Sequence, residues 1–410
     1  MTEQLLRILS GVFVGIYIAR HLGPENFGIL SYALAISAFV ISISRLGMDA
    51  ILIREIVNAP DNYKKLIGTA FWLMQIAAAA CCIVLIVFIW QTNEQNDIKV
   101  FTIIISLSSF FTAFSVVDYH FQSQVRAKIS SICKSLSLLV ISLLKIYLIF
   151  IDADLFSFVL VSLLEYVILA VFLMVAMGKS YNLEFLKEFN RELATQMLKS
   201  AWPMVLTAVA MLVYMRIDQI MIRKMLGLEE VGIYSAAVKI YEAWIVLPYV
   251  ITISLLPAII NLKKNNTDTY HVRMTQIFRL VIWMSIAAAL ITTLISEPLM
   301  VASFGPEYSE SAGTLQIVMW TAVFTAMGSA SARYFSAEHM EKKIALRTGL
   351  AATLNVLLNL ILIPAYGING AAAATLFCTF FANYLMDWFD PDLKTLLKIK
   401  HSAIFGNPFK

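Results

Sequence analysis

Residues 22–36 read LGPENFGILSYALAI and residues 226–240 read LGLEEVGIYSAAVKI, 204 positions apart in a chain of 410. The two stretches share eight of fifteen residues: Leu22/Leu226, Gly23/Gly227, Glu25/Glu229, Gly28/Gly232, Ile29/Ile233, Ser31/Ser235, Ala33/Ala237 and Ile36/Ile240. Each reads as a tight reversal between apolar runs. Gly ends one helix, and Pro or an acidic residue opens the next, where a carboxylate suits the positive end of the helix. A generic turn explains either copy alone, but its return at the matched place in each half predicts an internal repeat.

The surroundings of both copies are strongly apolar. The chain is 60% hydrophobic and 14% charged, with a mean hydropathy of +0.78, whereas soluble chains run nearer a quarter charged. Twelve apolar runs are read at 4–20, 28–45, 67–90, 98–117, 129–151, 155–177, 197–215, 231–259, 277–296, 312–332, 344–364 and 368–388. Runs of this length cross a hydrocarbon layer of about 30 Å as helices. The expected fold is an all-α polytopic membrane protein, with twelve transmembrane helices in two six-helix lobes around a central cavity. Because six is even, both lobes enter from the same side and are parallel repeats.

The lobes are read at 1–177 and 197–388, with an amphipathic linker helix at 178–196 and a tail at 389–410. Counting residues near the end of a run with the adjoining loop, 23 of the 31 Lys and Arg residues fall on the side holding both termini and 5 on the other, leaving Arg7, Lys145 and Lys239 inside spans. That bias predicts cytoplasmic termini. No cleavable leader is read ahead of the first run, and no outer segment is long enough to form a catalytic domain.

Charges inside spans cost at least ~2.5–3.5 kcal/mol each on insertion scales and usually face a cavity or a partner. The cationic candidates for substrate binding are Arg7, Lys145, Arg216, Arg223 and Lys239. Candidates for ion coupling are Glu165, Asp218 and Glu242. Snorkelling to an interface is an equal account of Arg7 and Lys145, and Lys239 and Glu242, at i and i+3, are also placed to neutralise each other. Their counterparts in the first copy are Ala35 and Ala38, so the shared architecture does not require these charges. A cavity rich in cations suits a phosphorylated substrate.

Other signals carry no weight. The four cysteines lack metal-ligand spacing, the five histidines are scattered, and Gly178-Lys179-Ser180 lacks the first glycine of a phosphate loop. The sequence predicts no cofactor, no metal, no nucleic-acid partner and no enzymatic centre.

The stretches EQLLRILSGVFVGIYIARHLGPENFGILSYALAI (3–36), LGMDAILIREI (46–56), DYHFQSQVRAK (118–128) and LNVLLNLILIPAYGINGAAAATLFCTFFANYL (354–385) resemble bacterial O-antigen or polysaccharide-repeat flippases of the Wzx type. These belong to a superfamily that also holds multidrug exporters and lipid II flippases. The resemblance implies a role in lipopolysaccharide or other polysaccharide biosynthesis at the bacterial inner membrane. It implies an undecaprenyl-diphosphate-linked oligosaccharide as substrate, with protons or sodium ions as candidate coupling ions. Membrane lipid and other polysaccharide-assembly membrane proteins are the further partners it suggests. Two alternatives stay open: a drug or cation exporter of the same superfamily, and a membrane polymerase or ligase, which would be expected to carry a long outer catalytic loop.

Overall fold

In the computed structural model the backbone is described for residues 2–180, 183–265 and 267–406, and the side chains for these except residues 2–10, 180, 265, 267 and 341. No strand occurs among the described residues. The principal elements are α1 (Thr2–Ser44), α2 (Met48–Asn58), α3 (Tyr63–Trp90), α4 (the helical run Asn96–Ser123), α5 (Ala127–Phe150) and α6 (Leu155–Ser180). They continue with α7 (Arg191–Met225), α8 (Leu228–Ser254), α9 (Leu256–Asn265), α10 (Thr267–Phe304), α11 (Ser311–Ala337), α12 (Glu341–Phe380) and α13 (Lys394–Phe405).

Among the described residues, ten helices are long and apolar enough to cross a membrane. The difference from the twelve runs read in the sequence lies in two helices broken by a glycine. One is α1, at Gly23 (φ 73°), and the other is α12, at Gly367 (φ 59°). A left-handed φ interrupts the hydrogen-bond ladder, and glycine adopts it without steric cost. Many large apolar side chains are exposed, among them Ile83, Val84, Phe88, Leu143, Leu294 and Ile361. In a chain built to span a membrane these are the surface that lipid covers.

The chain forms two compact units, residues 1–14 with 29–212 and residues 15–28 with 213–410. In the first, Met48, Ile51, Leu52 and Ile56 make the buried stripe of amphipathic α2, in one core with Phe71, Phe121 and Phe185. The expected linker helix at 178–196 is instead divided. Leu183–Lys187 is a short 3-10 turn whose Phe185 is fully buried, 6.3 Å from the Phe71 ring. Asn190 then accepts from the Glu192 and Leu193 amides at 2.9 and 3.0 Å. That cap starts α7 at Arg191, so the apolar spacing that suggests one surface helix serves a core anchor and a helix start.

In the second unit the two copies of the repeat meet. A Cβ on Gly28 would collide with the carbonyl oxygen of Leu228, and one on Gly232 with that of Pro24. Pro24 and Leu228 are repeat equivalents, as are Gly28 and Gly232. The two helix starts therefore cross about a local two-fold, backbone against backbone, as small residues permit. Beside this crossing, the Tyr308 hydroxyl donates to the Ala19 carbonyl at 2.7 Å.

The tail read at 389–410 includes α13, an amphipathic helix with Leu396, Ile399, Lys400 and Ala403 buried. Its apolar residues share a core with Met274, Phe278 and Tyr334. Lys400 is fully buried and donates to Asp387 at 2.6 Å and to the Asn383 carbonyl at 2.5 Å. Burial pushes its ammonium down to about 8, against the pull of Asp387. With the pKa lower in the folded chain, the unfolded chain binds more protons between about 8 and the ordinary 10.5. Stability therefore rises with pH through that window and is lost as pH falls through 8. Melting temperature is expected to rise from pH 8 to 10 in the native protein and to stay flat in Lys400→Met.

Candidate functional site

Asp218, in α7, is the most elaborately held of the charged candidates among the described residues. It is buried, and its Oδ2 accepts from the Tyr234 hydroxyl and the Thr375 hydroxyl, each at 2.7 Å. Its Oδ1 accepts from the Asn359 amide at 2.5 Å. Asn359 also donates to Asn355 Oδ1 at 3.2 Å, and Asn355 to Thr375 at 3.3 Å. The residues come from α7, α8 and both arms of the broken α12. Asn355 and Asn359 are one turn apart, so both present to the same side. The Oδ1 of Asn359 is buried with no hydrogen-bond partner, leaving an acceptor available beside a carboxylate.

Near this group, Arg216 pairs with Glu242 at 3.0 Å, each side chain 29% exposed. The expected pairing within α8 thus gives way to a bond between helices. Lys239 lies over Gly15 instead, where a Cβ would stand 3.0 Å from Lys239 Cε. Any side chain at residue 15 would press on that lysine. Arg223 is half-buried in the last turn of α7. The Arg7 side chain lies outside the described residues.

In the first unit, Lys145 on α5 and Glu165 on α6 form a pair at 3.0 Å, with Glu165 43% exposed. Two residues assigned separate roles from the sequence therefore neutralise each other. Lys145→Ala is expected to lower the amount of protein inserted several-fold, and Lys145→Met with Glu165→Gln to restore it. Quantitative immunoblotting of membrane fractions reads both. Among the described residues no group of three His, Cys, Asp or Glu is placed to hold a metal ion.

Sequence comparison puts these residues in context. Residues 1–263 match the family described as polysaccharide biosynthesis protein. The chain belongs to that family. By sequence, no curated protein matches it. By structure, the chain is similar to the lipid II flippase MurJ in an inward closed conformation, with a TM-score of 0.76 and 14% identity over 98% of this chain and 90% of that one. It is similar to an inward-facing multidrug resistance transporter of the MATE family, MOP superfamily, with a TM-score of 0.73 and 14% identity over 98% and 96% of the two chains. A MOP superfamily transporter from Pyrococcus furiosus matches with a TM-score of 0.60 and 12% identity, over 97% and 94%. At these identities the likeness is one of fold. The family member is an all-α membrane protein with the fold of MOP superfamily transporters.

The sequence reading placed Asp218 among its candidates and missed Tyr234, Asn355, Asn359 and Thr375. The signal available was LNVLLNL at 354–360, two asparagines one turn apart in an otherwise apolar helix.

Proposed function

We propose that this protein flips an undecaprenyl-diphosphate-linked oligosaccharide from the cytoplasmic to the periplasmic leaflet of the bacterial inner membrane. On this reading it acts by alternating access, with both termini cytoplasmic, and serves O-antigen or a related polysaccharide. The observation that carries the reading is membership of a polysaccharide biosynthesis family in a chain with the fold of a lipid II flippase. The cations Arg216 and Lys239 would hold diphosphate oxygens, Arg by a fork of donors and Lys as a point charge. Asp218 would bind the coupling ion. One carboxylate, two amide oxygens and two hydroxyls fit a single positive charge, either a proton or a sodium ion. The MATE likeness supports a second reading, a drug or cation exporter.

Complementation separates the two. In a flippase-null strain the native gene is expected to restore surface polysaccharide, whereas Lys239→Ala and Arg216→Ala should reduce it about tenfold or more at unchanged membrane abundance. Arg216→Glu with Glu242→Arg tests the pair, because a merely structural bond would be restored by the swap. Full complementation by both alanine variants would sink the cation assignment. Drug efflux without glycan export would favour the exporter.

A further inference from the structure

A second polar centre lies in the same unit as Asp218, where α12 gives way to a π-helical turn at Phe381–Leu385. Arg347, at 5% exposure, donates to Asp387 Oδ1 at 2.5 Å and to the Ala382 carbonyl at 3.2 Å, and its guanidinium lies 4.9 Å from the Phe335 ring centre. Lys400 takes the other carboxylate oxygen of Asp387 and the Asn383 carbonyl. Each of the two cations thus also donates to a carbonyl of the π turn, Arg347 to Ala382 and Lys400 to Asn383.

The charges do not balance. Among the described residues, two buried cations share one buried carboxylate, leaving one positive charge in excess. A buried charge without a counter-charge is costly. Lys343 engages Asp390 at 2.6 Å and Asp392 at 2.9 Å, with Asp392 68% exposed, so those carboxylates belong to a separate, wetter group.

Arg347 also lines a pocket of about 80 Å³ that opens to the surface. Tyr214, Thr348 and Asn383 supply its polar wall, and Phe335, Ala332 and Ile344 are among its apolar residues. The Tyr214 hydroxyl is bonded to Thr379, and the Asn383 amide lies over Gly328, where a Cβ would stand 2.5 Å from its Oδ1. One excess positive charge, a hydrogen-bonding wall and an apolar wall describe the ligand. It carries one or two negative charges on a head of few atoms, joined to an apolar stem.

We infer that the pocket beside Arg347 binds the phosphate of an anionic membrane lipid, with Arg347 as its charge partner and Thr348 and Asn383 as hydrogen-bonding residues. A zwitterionic choline head fits poorly, because its ammonium would stand near Arg347 and Lys400. The site is distinct from Asp218 and does not depend on what the protein transports.

The test uses the purified full chain in nanodiscs of phosphatidylcholine alone, of phosphatidylcholine with phosphatidylglycerol, and of phosphatidylcholine with inorganic phosphate in the buffer. A ligand that binds only the folded state raises the melting temperature. The native protein is expected to gain about 4 °C from phosphatidylglycerol and under half of that from inorganic phosphate. Arg347→Gln and Ala332→Leu, which fills the pocket and leaves every charge in place, are expected to lose the gain. Should either variant fail to fold, Asn383→Ala and Thr348→Val are expected to halve it. An equal gain in Ala332→Leu and Asn383→Ala, or none in the native protein, overturns the site. A full gain from inorganic phosphate alone overturns the lipid as its source.

Discussion

Gly232→Val is expected to lower the membrane abundance of the protein and to abolish whatever transport the remaining fraction supports. The Cβ would enter the space of the Pro24 carbonyl, which is backbone and has no rotamer in which to retreat. Overpacking of this kind typically costs about 1–3 kcal/mol, and the lack of a flexible neighbour puts it at the upper end. Gly28→Val should match it, because Gly28 meets Leu228 as Gly232 meets Pro24. By contrast Gly349→Ala, with open space around its Cβ, should be silent. Immunoblotting of membrane fractions and surface-polysaccharide complementation read the three together. Native behaviour in Gly232→Val would mean that the helix starts separate at little cost and that the crossing does not hold the unit.

Asp218→Asn is expected to leave a folded, inserted protein whose transport no longer responds to an imposed ion gradient. The amide keeps the shape of the carboxylate but turns one acceptor into a donor, opposite groups that already donate. The mismatch costs about 1–3 kcal/mol at one hydrogen bond. The substitution also removes the one negative charge of the site, leaving only neutral oxygens to attract a cation. A fall of about 10–100-fold in gradient-driven transport is expected, the scale seen when a metal ligand's support is lost. Proteoliposomes with sodium or proton gradients, applied singly, read it and name the ion. Asn359→Asp is the informative partner, since a second carboxylate should tighten cation retention and slow release. Unchanged gradient dependence in Asp218→Asn would remove Asp218 from coupling.

The repeat, the apolar runs and the break at Gly23 were legible because periodicity and turn chemistry are local, whereas the break at Gly367 was not singled out. Gly23 and Gly227 could be read as reversals from their neighbours alone. What lay hidden was pairing across distance. Glu242 is three residues from Lys239 in sequence, yet its partner is Arg216 on the preceding helix. Nothing in a single sequence tells which face of one helix meets another. The same holds for Asp218, whose donors stand up to 157 positions away. Asp387 and Lys400 were invisible for a different reason. Lys400 lies in a tail that reads as solvated and carries no mark of burial, while Asp387, at the last turn of the run 368–388, reads as the end of a span. The linker at 178–196 misled because an apolar stripe fits a surface helix and a core anchor equally, until Asn190 is seen to cap α7.

The glycine crossing bears on how such a chain came to exist. Contacts that map onto themselves under a two-fold, with position 24 over 232 and 228 over 28, have the symmetry of an isologous dimer interface. A single ancestral half carrying that turn would already have had a partner: another copy of itself. Fusion of two such copies would preserve the seam and free each half to vary elsewhere. A fragment of the first half, expressed alone, would then be the natural place to look for a dimer joined through Gly28.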